Sequence, residues 1–196
     1  MADKKAPLPS DDAPLTTRKE DRIEQMGDQL PEPQGDALAS KTVTISRPRA
    51  ELYAFWRDFT NLPRFMENIV SVEPVGEGRT HWTVKAPAGK TVEWISAITE
   101  DRPDETIVWA SEDGADVPNS GRIDFRDAPG GRGTWVSATI LYDPPGGIIG
   151  KVIAKMFQRE PGIQARRDLR RFKQLMETGE IATSARTRQA HEEEEV

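Results

Sequence analysis

TWVSATILYDPPGGIIGKVIAKMF, residues 134–157, contains a change of period that decides the fold. From Thr134 to Tyr142 the side chains alternate, with Val136, Ala138, Ile140 and Tyr142 on one side, the pattern of a strand with one buried face. Asp143-Pro-Pro-Gly-Gly147 then stops the strand, because two prolines and two glycines support neither a ladder nor a helix. Beyond it Ile149, Val152, Ile153, Met156 and Phe157 recur at helical spacing on one stripe. Pro161 interrupts that stripe and predicts a kink or a restart. Ile163, Leu169, Phe172 and Met176 continue an apolar face, and Gly179 is placed to end it. A last strand therefore leads into a long, broken, amphipathic helix whose apolar stripe needs a sheet to cover it.

Upstream lie the strands of that sheet. Lys41–Ile45 alternates and is rich in β-branched residues, which predicts the first strand. Ser46 is placed to cap a helix, with Pro48 in its first turn. Leu52, Phe55, Trp56 and Phe59 then share one face of a helix over 50–59. Asn61–Met66, with Pro63 near its start, predicts a second short helix. Ile69–Val75, Thr80–Ala86, Thr91–Thr99, Thr106–Ser111, Gly121–Arg126 and Thr134–Tyr142 are the remaining strands. They are separated by Pro87-Ala-Gly89, Arg102-Pro-Asp104, Glu112-Asp-Gly114 and Pro129–Gly133. Separations this short suit an antiparallel meander. The expected order is one strand, two short helices, six strands and a long broken helix: an α+β fold with a sheet of about seven strands.

Charge and composition set the limits of this domain. Residues 1–40 hold five prolines, no aromatic residue, 5 Lys/Arg and 9 Asp/Glu, a composition that does not offset its own ordering entropy. They are expected to form a disordered arm, and residues 182–196, with their four glutamates, a disordered acidic tail. The folded domain is expected over residues 41–181. The chain's net charge of -6 lies in the two ends, because residues 41–181 carry 20 charges of each sign. A neutral domain with acidic ends is no nucleic-acid binder, since phosphate binding needs a basic face. The absence of cysteine excludes disulfides, thiolate nucleophiles and Cys-ligated metals. No apolar run is long enough to span a membrane and the N-terminus has no signal-like stretch, so a cytoplasmic location is expected.

The order of elements and the local sequence resemble the helix-grip fold of the START superfamily, in its bacterial cyclase/dehydrase branch grouped with the coenzyme Q-binding START-type proteins. The stretches that carry the resemblance are Phe55-Trp-Arg-Asp-Phe-Thr-Asn-Leu-Pro-Arg-Phe-Met66, His81-Trp82, Lys85-Ala-Pro-Ala-Gly89, Val92-Glu-Trp94, Glu100-Asp-Arg-Pro103, Asp143-Pro-Pro-Gly-Gly147 and Asp168–Gly179. The resemblance covers residues 41–181. It implies a curved sheet wrapped around the C-terminal helix with a cavity between them, on a scaffold that hosts carriers, cyclases and hydroxylase domains alike.

If the apolar member of each alternation faces the helix, the inner wall comprises Trp82 and Val84, then Trp94 and Ser96, then Trp109, Phe125, Ala138, Ile140 and Tyr142. The opposing helical wall comprises Ile153, Met156, Phe157, Leu169 and Phe172. These residues are the candidate ligand contacts for an apolar small molecule or lipid, quinone- or prenyl-like, with Ser96, Ser111 and Tyr142 as polar groups to orient it. The same side chains serve equally as a packed core. On the outer face Ile95, Val108, Trp135 and Leu141 form an apolar patch suited to self-association. Arg166, Arg167, Arg170, Arg171 and Lys173 on the last helix suit either a solvated face or contact with an anionic membrane surface. His81 is the single histidine of the folded part and faces outward, and no catalytic motif, metal site or cofactor motif is present. The carboxylates Glu100-Asp101, Asp104-Glu105 and Glu112-Asp113 are expected in solvated turns. A binding module ranks first, an interaction protein with a filled core second, and an aromatase/cyclase-type enzyme third.

Overall fold

The computed structural model describes residues 37–86, 89–142 and 161–182. The expected arm and acidic tail, the apolar stripe Ile149–Phe157 and the side chain of Tyr142 lie outside the described residues. Seven strands form one antiparallel sheet: β1 (Ala37–Ile45), β2 (Ile69–Gly76), β3 (Arg79–Lys85), β4 (Thr91–Arg102), β5 (Thr106–Ser111), β6 (Asn119–Asp127) and β7 (Thr134–Tyr142). Their order across the sheet is β1-β7-β6-β5-β4-β3-β2. β2 to β7 are a meander of neighbours, and β1 pairs with β7 at the far edge. The helical connection after β1 carries the chain across to β2 at the other edge. It comprises α1 (Arg49–Arg57) and a 3-10 turn (Phe59–Arg64). The last described element is α2 (Pro161–Thr178).

The expected alternation sets the register. Trp82 pairs with Trp94, Ile98 with Trp109, Ile107 with Ile123, Ile123 with Ala138 and Phe125 with Val136, all on the inner face. β5 and β7 have the bounds that the alternation predicts, whereas other elements differ. β1 starts at Ala37 rather than Lys41, because β7 offers a partner as far as Tyr142 and ladder bonds outweigh the weak strand preference of Ala-Leu-Ala-Ser. β4 runs on to Arg102 through a register shift between Ile98 and Glu100. Glu100 and Asp101 therefore sit in a strand and not in a solvated turn. Asp101 accepts hydrogen bonds from Arg57 Nε at 2.5 Å and from the Tyr53 hydroxyl. Burial of Tyr53, together with its hydrogen bond to Asp101, pushes its pKa up to about 12. Ser46 does not cap α1. Pro48 stands at the N-cap with no side-chain bond, while the Ser46 N–H donates to Glu177 Oε1 at 2.7 Å.

The helices pack through aromatic rings. Phe172 of α2 lies edge-on to Trp56 at 5.0 Å between centroids and 4.9 Å from Phe65, and all three side chains are fully buried. The C-terminal half of α2 is also tied to the end of β1. Arg47 donates to the carbonyls of Met176 and Glu177, each at 2.9 Å, and Lys173 donates to the carbonyl of Thr44 at 2.6 Å. The Arg47 bonds occupy carbonyls that a helix C-terminus leaves without partners, and both cations complement its partial negative charge. Gly179, at φ +82°, ends the helix, as its position predicts.

Gly121 on β6 is forced by packing. A Cβ there would stand 2.1 Å from Cζ2 of Trp109, so the indole lies flat across the glycine. Gly121→Ala is expected to displace Trp109 and to destabilise the fold by about 1–3 kcal/mol. Urea unfolding followed by tryptophan fluorescence checks this, and an unchanged midpoint would contradict the packing.

Candidate functional site: an apolar cavity under the sheet

Between the inner face of the sheet and α2 lies a cavity of about 160 Å³, partly open to solvent. Its sheet wall is Trp82 and Val84 of β3, Trp94 of β4, Trp109 of β5, and Ala138 and Ile140 of β7. Trp82 and Trp94 are cross-strand neighbours whose rings stack at 6.1 Å with 12° between planes. Phe59 meets Trp82 and Trp109 edge-on at 5.6 and 5.8 Å, so the rings brace one another and hold the wall in place. The helical side is Gln164, Ala165, Asp168 and Leu169, all in the N-terminal half of α2. Trp56, Phe59, Leu62 and Met66 close one end, with Asn68 and Ile69 beside them; Val117 and Asn119 lie at the β5–β6 connection.

Seven of the sequence-derived candidates thus share one cavity: Trp82, Val84, Trp94, Trp109, Ala138, Ile140 and Leu169. Three others are elsewhere. Phe172 is wedged among Trp56, Phe65 and Phe55, and Phe125 lies edge-on to Tyr53 at 6.0 Å, so both are core. Ser96 is buried but does not line the cavity, and its hydroxyl has no partner. Ile153, Met156 and Phe157 lie outside the described residues. Ser111, expected to orient a ligand, instead accepts a hydrogen bond from the Asn119 N–H at 3.0 Å.

Sequence reasoning missed the contributions of the first helical connection and the polar residues of α2. The face Leu52, Phe55, Trp56, Phe59 reads as core, and nothing in its period says that Trp56 and Phe59 also border a void. Gln164 and Asp168 are different. They are one helical turn apart and flank Ala165 and Leu169, so the helical phase alone would have brought them beside the inward stripe.

Among the described residues of the cavity lining, Asp168 is the titratable side chain. It is half-buried, and Gln164 Nε2 donates to its Oδ1 at 2.8 Å. Desolvation pushes its pKa up to about 7, the Gln164 bond opposes this, Glu67 adds to it, and Arg171 and Arg167 draw it down. Trp56 and Trp94 line the space with their rings, whereas their Nε1 donors are buried away from it and find no acceptor among the described residues. Trp82 Nε1, by contrast, donates to Thr80 Oγ1 at 2.9 Å.

Outside the cavity several charged residues of α2 are engaged. Arg171 donates to the Phe65 carbonyl at 2.9 Å and pairs with Glu67, which Arg167 also approaches at 3.6 Å. Lys173 lies 3.5 Å from Glu177. His81 faces outward beside Glu93, at 3.5 Å. Among the described residues no cluster of three or more His, Asp or Glu could hold a metal. On the outer face, Val108 and Leu141 pack together at 1% and 3% exposure, which leaves Ile95 and Trp135, both half-buried, as the more accessible members of the expected patch. No described helix is long and apolar enough to cross a membrane.

A seven-stranded curved sheet that grips a C-terminal helix across an apolar cavity defines a helix-grip protein. Residues 45–170 match the family described as polyketide cyclase/dehydrase and lipid transport, and the chain belongs to that family. Among solved structures, the protein DR_A0006 from Deinococcus radiodurans is 41% identical; the match covers 73% of this chain and 99% of that one, with a TM-score of 0.60. TTHA0849 from Thermus thermophilus is 24% identical over 70% of this chain and 95% of its own, with a TM-score of 0.56. The Zhui aromatase/cyclase from Streptomyces sp. R1128 shares the fold at 16% identity, over 74% of this chain and 99% of its own, with a TM-score of 0.54. A comparison with functionally curated proteins finds no match.

The raised pKa of Asp168 has a consequence for stability. Between about pH 4 and pH 7 the folded chain holds a proton that the unfolded chain has released, so this group's contribution falls as pH rises through that window. Asp168→Asn is expected to stabilise the protein at pH 8, by about 1–4 kcal/mol, with the gain vanishing near pH 4. Thermal melts of both proteins across this range check the sign; a variant less stable at pH 8 would contradict it.

Proposed function

We propose that this chain binds an apolar small molecule or the ring end of a lipid, quinone- or prenyl-like, in the cavity between sheet and α2. The observation that carries the reading is the cavity itself: among the described residues its walls are four indoles, a phenylalanine, a methionine and aliphatic side chains, with Asn68, Asn119, Gln164 and Asp168 as the polar groups. Apolar space with a few convergent polar groups is the usual form of a small-molecule site. Space of this size accepts a group on the scale of one or two fused rings, because an engineered apolar cavity of about 150 Å³ binds benzene. A longer ligand would place its ring inside and its chain toward the open side. The family's description, which includes lipid transport, supports the same reading.

One observation favours a second reading, an enzyme of the cyclase/dehydrase type. Asp168 supplies a carboxyl that changes protonation near neutrality inside an apolar site, which suits general acid–base work. Under the first reading Asp168→Asn keeps the bound molecule unchanged; under the second the variant binds it but no longer converts it. Delivery to a bilayer through the basic residues of α2 is not part of this reading, since Arg167, Arg171 and Lys173 are spent on intramolecular partners. Nor is self-association through the outer face, because Val108 and Leu141 are covered within the chain.

Native mass spectrometry and organic extraction of the protein purified from its own host are expected to show a neutral apolar molecule bound one to one. Ala138→Phe projects a ring into the cavity from β7. The variant is expected to stay folded, at a cost of about 1–3 kcal/mol, and to lose the bound molecule. If wild type carries nothing and apolar aromatic probes produce no saturable tryptophan quenching, the reading fails.

A further inference from the structure

We infer that Asn119 makes the cavity selective for ligands that carry a hydroxyl: its Oδ1 accepts the ligand's O–H, so a phenol- or hydroquinone-type ring binds in preference to a ketone or quinone of similar skeleton. This rests on the apolar cavity being a ligand site and adds the polar group that the site recognises.

Asn119 opens β6, and the register puts it on the inner face. Gly121 pairs with Ile140 and Ile123 with Ala138, so positions 119, 121 and 123 share the face that holds the β7 part of the cavity wall. The next residue along that face, Gly121, has no side chain and is covered by the Trp109 indole. Asn119 lines the cavity, yet it is only 7% exposed. Two bonds hold it there. Its backbone N–H donates to Ser111 Oγ at 3.0 Å, and its Nδ2 donates to the Val117 carbonyl at 2.8 Å. The second bond settles which end of the amide is which, because only the nitrogen can donate to a carbonyl.

Oδ1 is therefore the end left over, and it has no hydrogen-bond partner among the described residues. It also keeps accessible surface. In this it differs from the partnerless Nε1 atoms of Trp56 and Trp94 and from Ser96 Oγ, which are sealed off. For a side chain so deeply buried, the space it still touches is the cavity. The surroundings at this end are apolar: Val84, Val92 and Val117 pack together, with Trp94 and Ile140 against them. A carbonyl oxygen in such a place is costly while unpaired and binds strongly when a donor reaches it.

The helical side has the same bias. Gln164 spends an Nε2 hydrogen on Asp168 Oδ1, which leaves Gln164 Oε1 and Asp168 Oδ2 as further oxygens. In each case the internal bond uses a donor and spares an acceptor. Each amide nitrogen retains one N–H, so a hydroxyl, which donates and accepts, finds both partners. A ketone accepts only and leaves the oxygens unmatched.

Calorimetric titration of the full chain with indane, indan-5-ol and 1-indanone tests this, because the three share a bicyclic skeleton and differ in what their oxygen can do. The wild type is expected to bind indan-5-ol about tenfold more tightly than 1-indanone, the worth of one matched hydrogen bond. It should also prefer indan-5-ol to indane, although indane is the more apolar and a wall without acceptors would favour it. Asn119→Leu, similar in size, removes the acceptor and should abolish both preferences; Asn119→Ala, which adds no bulk, gives the same reading if leucine unfolds the domain. Each ratio is taken within one protein, so a general loosening of the wall does not mimic the result. A wild type that prefers indane or 1-indanone, or a preference for indan-5-ol that persists in a folded Asn119 variant, overturns the inference and leaves the apolar site standing. Failure of all three compounds to bind overturns the site as well.

Discussion

The whole arrangement depends on how the C-terminal half of α2 is fixed to β1 and to the first helical connection. Its C-terminal half is held to β1 by Arg47 and Lys173 and is wedged by Phe172 against Trp56 and Phe65. Its N-terminal half carries Gln164, Ala165, Asp168 and Leu169 over the centre of the sheet, where the tryptophans of β3, β4 and β5 stand. Large rings at the pinned end hold the helix off the sheet, and stacked indoles at the other end do not fill the space beneath it. A cavity persists because the rings around it are braced in edge-on and stacked pairs and do not collapse inward. The fold thus supplies both the void and the rigidity that keeps it open.

Function follows from what lines that void. Aromatic faces and small aliphatic groups attract apolar surface without direction, and orientation has to come from the few polar atoms. In the proposed site Gln164 and Asp168, on the helical side, are placed to provide it. Several other charges are engaged within the domain. Glu67 binds the two arginines of α2, Asp101 ties Tyr53 and Arg57 to the end of β4, and Glu112 receives Arg79 in two bonds of 2.6 Å.

Much of this was legible in the sequence. The alternation in Thr106–Ser111 and Thr134–Tyr142 marks two strands to the residue, and the apolar phase of each strand places Trp82, Trp94, Trp109, Ala138 and Ile140 on the inner face. What escaped depends on contacts distant in the chain. The register shift after Ile98 breaks the period of two, so Asp101 resembles a turn residue until Tyr53 and Arg57 are seen beside it. Ser46 looks like a cap because the local motif is right, yet its N–H is claimed by Glu177, 131 residues away. Core and cavity wall have the same hydrophobic signature, so Phe125 and Phe172 could not be separated from Trp109 before the packing was known. Asp168 had a readable phase, but its protonation depends on desolvation by the opposing wall.

Xenon pressure is the most direct test of the central claim, because the atom binds dry, apolar space and needs no knowledge of the ligand. Crystals of the full chain equilibrated under xenon are expected to show an anomalous peak between Trp82, Trp94, Trp109 and Leu169, and Ala138→Phe crystals none. Wild-type crystals that diffract well, with those four side chains ordered and no xenon among them, would contradict the account.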